Sequence, residues 1–426
     1  MAELGANRDR IALELRAAVP GVRAALIGRL RDFDLAEDAL QDALLRAWER
    51  WPAAGVPERP DAWLHRVAVR RALDRWRHER ISAGAGLSDP DEHESRDPEL
   101  ADLAERGTFD DDLLRLIFTC CHPALRPDAR AALTLRTVLD LGLDEVARAF
   151  LVDARTMEQR LVRAKRRIRE AGLEWSVPRG DELAGRLDDV LRVAYLIFTE
   201  GYSATAGDTL TRPDLCALAI SLMRQLDRLL RGQAEALALL ALMLLQEARS
   251  DGRIDAAGQL VLLEDQDRST WNRSRIREGT VLLEKALQLR QRPGPYQIQA
   301  AIAALHATAP SARETDWPQI AGLYDALCRV SDTPVVRLNR AVALAMCRGA
   351  AAGLAELDRL RGIPALEGHH PYHVARGALL ARLGQVDAAR ESYRRALGLA
   401  RNAAESGFIR ERIAQLAPAA ESPRSC

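Results

Sequence analysis

Gln159, Arg160, Arg163, Arg166 and Arg167 fall on one face when residues 143–168 are wound as helix at 3.6 residues per turn. Guanidinium and carboxamide groups so placed break no bonds. They donate forked hydrogen bonds, which suits phosphate oxygens and base edges. On the opposite face Met157, Leu161, Ala164 and Ile168 keep the same period and should face a core. The preceding helix carries Val146 and Phe150 one turn apart, with Ala147 small where a second helix must cross closely. Residues 151–153 make the turn, and Asp153 is placed to accept from a free N–H at the next helix start. Two crossing helices with a basic outer face on the second form a helix-turn-helix, whose second helix enters the DNA major groove. An ordinary hairpin with a solvated charged face competes with that reading. The excess of arginine over acid in this helix weighs against it.

Groups that could do covalent chemistry are sparse. The chain has no GxSxG, HExxH, P-loop, GxGxxG before a helix or paired-carboxylate constellation, so an enzyme is not expected. Cys120-Cys121-His122 invites a metal reading, but adjacent cysteines point apart on a helix and zinc spacing is missing. Buried thiols are expected there, with neither metal nor cofactor. The other four cysteines are scattered without a CxxC pair, which fits a reducing cytoplasm. The first ten residues, MAELGANRDR, lack the apolar centre of a signal peptide. The longest apolar run, 236–245, falls short of the roughly 20 residues a bilayer span needs, so it reads as a buried helix and no membrane partner is expected.

The elements that must position these groups are helical. Ala, Leu, Arg and Glu dominate the 426 residues, aromatics make up 4%, and alternating β-branched runs are missing, so the fold class is all-α. Apolar residues at 48% allow two or three domains with cores. Lys+Arg and Asp+Glu both count 61, giving zero net charge, so any DNA contact must be local or assisted by a partner.

Four segments follow: 9–80, 81–106, 107–172 and 181–418. In the first, residues 35–48 form an amphipathic helix with Leu40, Leu44 and Trp48 as its apolar stripe. Asp38, Gln41 and Asp42 share its polar side, and Asp34 is the expected cap. Residues 51–60 read as a proline-bounded loop. Asp61 begins a second helix with Trp63, Val67 and Leu73 buried, and with an arginine-rich surface that includes Arg70 and Arg71 beside Asp74.

Asp34-x-Ala36-Glu37-Asp38-x-x-Gln41-Asp42, then Ala47-Trp48, and after the loop Ala62-Trp63-Leu64-x-x-Val67-Ala68-x-x-x-Ala72-Leu73-Asp74, resembles region two of bacterial extracytoplasmic-function sigma factors. The helix-turn-helix is similar to their region four, in the same order. The resemblance implies that Asp38, Gln41 and Asp42 dock on the clamp helices of the largest subunit of core RNA polymerase. It implies a further contact with the polymerase flap, and promoter DNA as the second partner. Arg70, Arg71 and Asp74 would touch the opened −10 element, with the 51–60 loop as the wall of a flipped-base pocket. The family often has Asn where this chain has Arg70, which leaves the −10 sequence open. Trp63 and Trp76 fit core packing better than base stacking at their helical spacing.

By the same resemblance Glu158, Gln159, Val162 and Arg163 would face −35 base edges, while Arg155, Thr156, Arg160, Lys165 and Arg166 would hold phosphates. Arg163 suits guanine O6/N7, Gln159 adenine N6/N7 and Glu158 a cytosine amine. Glu158 departs from the family's more usual basic or small polar residue, so it should discriminate rather than add affinity. The acidic, proline-punctuated 81–106 reads as a flexible linker. About 26 extended residues reach roughly 85 Å, against roughly 54 Å for a spacer of about 16 base pairs.

The remaining residues, 181–418, read as helical pairs: 215–231 with 233–248, 275–289 with 296–307, 318–330 with 335–348, and 371–383 with 385–401. The last pair, with Ala375, Ala378, Leu383, Gly384, Ala388, Ala389, Tyr393, Ala396 and Leu397 in register, resembles a tetratricopeptide repeat. Such stacks imply a concave surface for a peptide or protein partner. The charged stretch 250–271, with Leu260, Val261, Leu262 and Leu263 at its centre, reads either as a functional loop or as a salt-bridged brace. Taken together, these features fit a sigma factor with a regulatory helical extension. The competing reading is a helix-turn-helix transcriptional regulator with the same extension, acting without sigma function.

Overall fold

The computed structural model describes residues 2–82, 109–150, 152–173, 175–203, 211–255, 260–400 and 403–416, the side chains of 2–7, 75–82, 110 and 181 aside. Most of the expected linker, from residue 83 on, and the side chain of Trp76 lie outside the described residues. Among those described, structure is helical, with a single isolated antiparallel bridge between Ile254 and Leu260. The chain forms two compact units, 1–194 and 195–426.

The first unit begins with α1 (Ala2–Leu30), α2 (Phe33–Ala54) and α3 (Pro60–Ser82), which pack mutually. Asp32, not Asp34, caps α2: its carboxylate accepts from the amides of Asp34 at 2.8 Å and Leu35 at 3.1 Å. The buried face of α2 is Ala36, Leu40, Ala43, Ala47 and Trp51. The expected stripe is therefore rotated. Leu44 is half-buried, and Trp48 is 45% exposed. The alanines let α1 and α3 approach closely, so the bulk goes to the helix end, where Trp51 meets Trp63 edge-on at 5.4 Å. Trp63, Val67 and Leu73 are half-buried, short of the full burial expected of them. The 51–60 loop is shorter than expected, because α2 continues through Pro52 and ends where Gly55 takes φ 80°.

Next come α4 (Phe109–Cys120), α5 (Pro127–Thr137), α6 (Leu143–Ala149) and α7 (Ala154–Glu170). The first half of α8 (Asp181–Tyr202) closes them, with Arg130 on Asp189 at 2.9 Å and Arg186 donating to the Phe118 carbonyl at 2.8 Å. Cys120 and Cys121 sit in this core, Cys121 Sγ lying 3.5 Å from Thr134 Oγ1. Burial pushes the Cys121 thiol up to about 12.

The second unit holds α9 (Pro213–Leu229), α10 (Ala234–Glu247), α11 (Arg273–Gln288) and α12 (Pro295–Thr308). It continues with α13 (Trp317–Val330), α14 (Pro334–Arg348), α15 (Ala350–Arg359) and α16 (Pro364–Glu367), then α17 (His370–Arg382), α18 (Val386–Leu399) and α19 (Ala403–Gln415). The apolar run 236–245 is buried on every side within α10, which packs on α9, α11 and α12. From α12 onward, packing is chiefly between neighbours in sequence, α13 on α14 and α17 on α18, as helical hairpins that bury one face each require. Gly377 lies against the Tyr393 ring, where a Cβ would come within 3.1 Å of it.

Candidate nucleic-acid interface

The α6–α7 corner is built as the spacing predicts. Val146, Ala147, Met157, Leu161, Ala164 and Ile168 are all buried. Asp153 caps α7, accepting from the Thr156 amide at 2.8 Å and its hydroxyl at 2.7 Å. Those two bonds hold the Asp153 carboxyl below the usual carboxylate range. At the start of α6 the Glu145 carboxylate accepts from the Gly142 amide at 2.7 Å.

The outward face of α7 presents Arg155, Thr156, Glu158, Gln159 and Arg163 as exposed side chains. Val162, at 55% exposure, stands among them. An exposed valine flanked by a carboxamide and a guanidinium offers both an apolar contact for a thymine methyl and forked donors for purine edges. The groups expected to hold phosphates are differently placed. Arg160 is half-buried, 5.6 Å above the Phe150 ring, with Asp128 at 3.5 Å. Lys165 pairs with Asp34 at 2.7 Å, and Arg166 with Glu170 at 2.6 Å. The Thr156 hydroxyl already serves Asp153.

On α3, Arg70 and Asp74 are exposed and Arg71 is half-buried. On α2, Asp38, Gln41 and Asp42 are exposed. The same face continues to Leu45, 63% exposed, and Trp48. An acidic and apolar stripe thus runs three turns along α2. The sequence reading missed its apolar half, although the i, i+3, i+7 spacing from Asp38 through Gln41 to Leu45 marks it.

The structure brings α1, α2 and α7 together. Arg23, only 3% exposed, donates to Glu37 at 2.9 Å and Asp140 at 2.5 Å. Arg136 reaches Glu37 at 3.8 Å, and Arg169 reaches Asp32 at 3.7 Å. Gly28 of α1 lies against the Trp175 indole, leaving no room for a Cβ. The first three helices and the helix-turn-helix therefore form one ion-paired body.

Comparison with known proteins places these elements. Residues 15–81 match the model for sigma-70 region 2, and 115–168 match that for sigma-70 region 4. Residues 186–287 match a family of unknown function. An uncharacterized protein of Rhizobium meliloti (strain 1021) is 45% identical over 96% of both chains. An RNA polymerase sigma-E factor of Streptomyces avermitilis is 30% identical over 32% of this chain and 69% of its own. Its counterpart in Streptomyces antibioticus is 27% identical over the same shares. No solved structure matches. The match to both regions, in order, disfavours a helix-turn-helix regulator acting without sigma function. The chain belongs to the sigma-70 family of RNA polymerase sigma factors, of the extracytoplasmic-function type, and carries a helical extension.

Proposed function

We propose that this sigma factor directs core RNA polymerase to its promoters by two grips on DNA. In α7, Glu158, Gln159, Val162 and Arg163 read −35 base edges, and Arg155, Thr156, Arg160, Lys165 and Arg166 hold the flanking phosphates. In α3, Arg70, Arg71 and Asp74 hold the opened −10 strand. The α2 stripe of Asp38, Gln41 and Asp42 docks on the clamp helices, with Leu45 and Trp48 adding apolar area, and the helix-turn-helix region meets the flap. The work is binding and takes place in the cytoplasm. The segments 9–80, 107–172 and 181–418 divide these tasks, the last as a tetratricopeptide-like regulatory stack.

One observation carries the reading: Arg70 and Arg163, 93 residues apart on helices of the two matched regions, both face solvent. Lys165 and Arg169 lie against the start of α2, so the two regions must part before Lys165 can take a phosphate. The test is transcription from fragmented genomic DNA by core polymerase with the full chain. Transcript starts should share a −35 and a −10 element. Arg163→Ala should relax one −35 position, since a bidentate contact is worth about 1–3 kcal/mol of discrimination. A uniform loss at every start would make Arg163 a phosphate contact instead. No transcripts above core polymerase alone would end the reading.

A further inference from the structure

Residues 260–267 leave the helical scaffold and line a cavity of the second unit. The strand is extended at its start, where Ile254 bridges Leu260 and the Val261 amide donates to the Arg253 carbonyl at 2.8 Å. Leu260 and Leu262, two residues apart and so on one side of an extended chain, pack against a cluster of Tyr393, Ala396, Phe408 and Ile409. Glu264 accepts from Arg382, both oxygens lying 3.1 Å from one guanidinium nitrogen. Asp265 faces Arg412 at 3.9 Å. The segment then ends in a fixed anchor: buried Arg268 donates to the carbonyls of His306 at 2.7 Å and Ala309 at 2.8 Å.

The contrast between anchor and strand is informative. None of residues 260–265 is fully buried, although four of them are Leu or Val. Beside them lies a cavity of about 1080 Å³, walled largely by apolar side chains such as Val342, Met346, Val374 and Ala378. A loop that merely braced the helices would fill that space. Residues 260–265 instead form one wall of it and leave it open, lying on the Tyr393 and Phe408 cluster as a bound peptide lies along one side of a groove. Its alternate leucines meet the groove, and its carboxylates meet arginines at the rim. Arg313 also lines the cavity and, among the described residues, has no carboxylate partner.

We propose that this channel is a peptide-binding groove, that residues 260–265 are its resident internal ligand, and that an acidic segment of a partner protein, extended at its leucines and turned at its carboxylates as here, takes their place. The partner segment carries leucines two residues apart followed by paired carboxylates. This proposal does not rest on the promoter reading, and its test involves neither DNA nor polymerase.

The probe is a fluorescein-labelled peptide of the chain's own residues 259–266, QLVLLEDQ, titrated into the full-length protein. Glu264→Gln with Asp265→Asn removes two rim ion pairs from the internal competitor. That variant should bind the peptide roughly fivefold to thirtyfold more tightly than the unaltered chain. Adding Arg382→Gln and Arg412→Gln should abolish the gain, and a scrambled peptide should not bind. A folded Glu264→Gln/Asp265→Asn chain that ignores the peptide overturns the proposal. So does binding indifferent to Arg382 and Arg412, or equal binding of the scrambled sequence. If that variant loses its cooperative melt, the unaltered chain decides. Excess peptide should then strip hydrogen-exchange protection from residues 260–265, and unchanged protection refutes exchange.

Discussion

Arg23→Met tests whether the two matched regions are latched to one another. The substitution keeps an unbranched apolar stem in a site only 3% exposed and removes the guanidinium that joins Glu37 of α2 to Asp140 before α6. Deleting one member of a dry ion pair costs about 3–5 kcal/mol. Glu37 and Asp140 are 25% and 48% exposed, so water can take over part of their solvation, and Arg136 remains 3.8 Å from Glu37. The expected loss is therefore about 1–3 kcal/mol, below the dry limit. Because Asp140 belongs to the helix-turn-helix region, much of that loss should favour parting of the regions rather than global unfolding. About 1.4 kcal/mol multiplies the open population tenfold. If closure competes with polymerase, Arg23→Met should bind core enzyme ten- to a hundredfold more tightly while its urea midpoint falls. A double-mutant cycle with Asp140→Asn should show coupling of about 1 kcal/mol or more. A chain that loses stability yet binds core polymerase no better would refute the reasoning, since the regions would then stay joined in the complex.

Trp48→Ala should leave stability within about 0.5 kcal/mol, as an exposed site does, while lowering affinity for core polymerase tenfold or more by pull-down or anisotropy. A large fall in stability with unchanged affinity would return Trp48 to the core. Burial, helped by Arg249 and Arg268, lowers His306 from 6.5 to about 4. The unfolded chain then binds a proton below pH 6.5 that the folded chain refuses until about pH 4, so stability falls as pH drops through that window, by up to ~3 kcal/mol. Urea unfolding at pH 7, 5.5 and 4.5 should show that slope, and His306→Asn should flatten it. Cys121 and Cys216, both raised to about 12, should resist iodoacetamide at pH 8 until the chain unfolds. Labelling of either in the native protein at the rate of a free thiol would contradict their burial.

The helix-turn-helix was legible because its information is local. Period alone selects Met157, Leu161, Ala164 and Ile168, and a cap needs only Asp153 two residues before Arg155. On α2 the same method failed by one residue past Leu40. It sought bulk at i, i+4, i+8 and was right at Leu40 but wrong at Leu44 and Trp48, since the inward face continues through Ala43 and Ala47 to Trp51. Small residues carry the signal where three helices crowd together, and size-weighted reading overlooks them. The segments 215–231, 233–248, 318–330 and 335–348 were placed to within a few residues, while α15 and α19 passed unread. Arg23 gave no local sign either: its partners lie 14 and 117 residues away, and a buried arginine is legible only once both are known. The 250–271 stretch is unusual in composition, but its partners Arg382 and Arg412 belong to helices more than a hundred residues later.

Charge balance joins these observations. A chain with 61 basic and 61 acidic residues has little long-range attraction for DNA, and several of its cations are already answered internally: Arg160 by Asp128, Lys165 by Asp34, Arg166 by Glu170. If Arg160, Lys165 and Arg166 hold phosphates as proposed, each must first give up its carboxylate, which weakens the free chain's grip on duplex. Gln159, Val162 and Arg163, the proposed base readers, are exposed on the same outer face of α7. On that proposal the groups for specificity stand ready while part of the affinity is withheld. Whatever separates α7 from the start of α2 frees Lys165 and Asp34 from one another. Docking of α2 on polymerase, as proposed, would be well placed to do so, because α2 carries Asp34, one side of that latch.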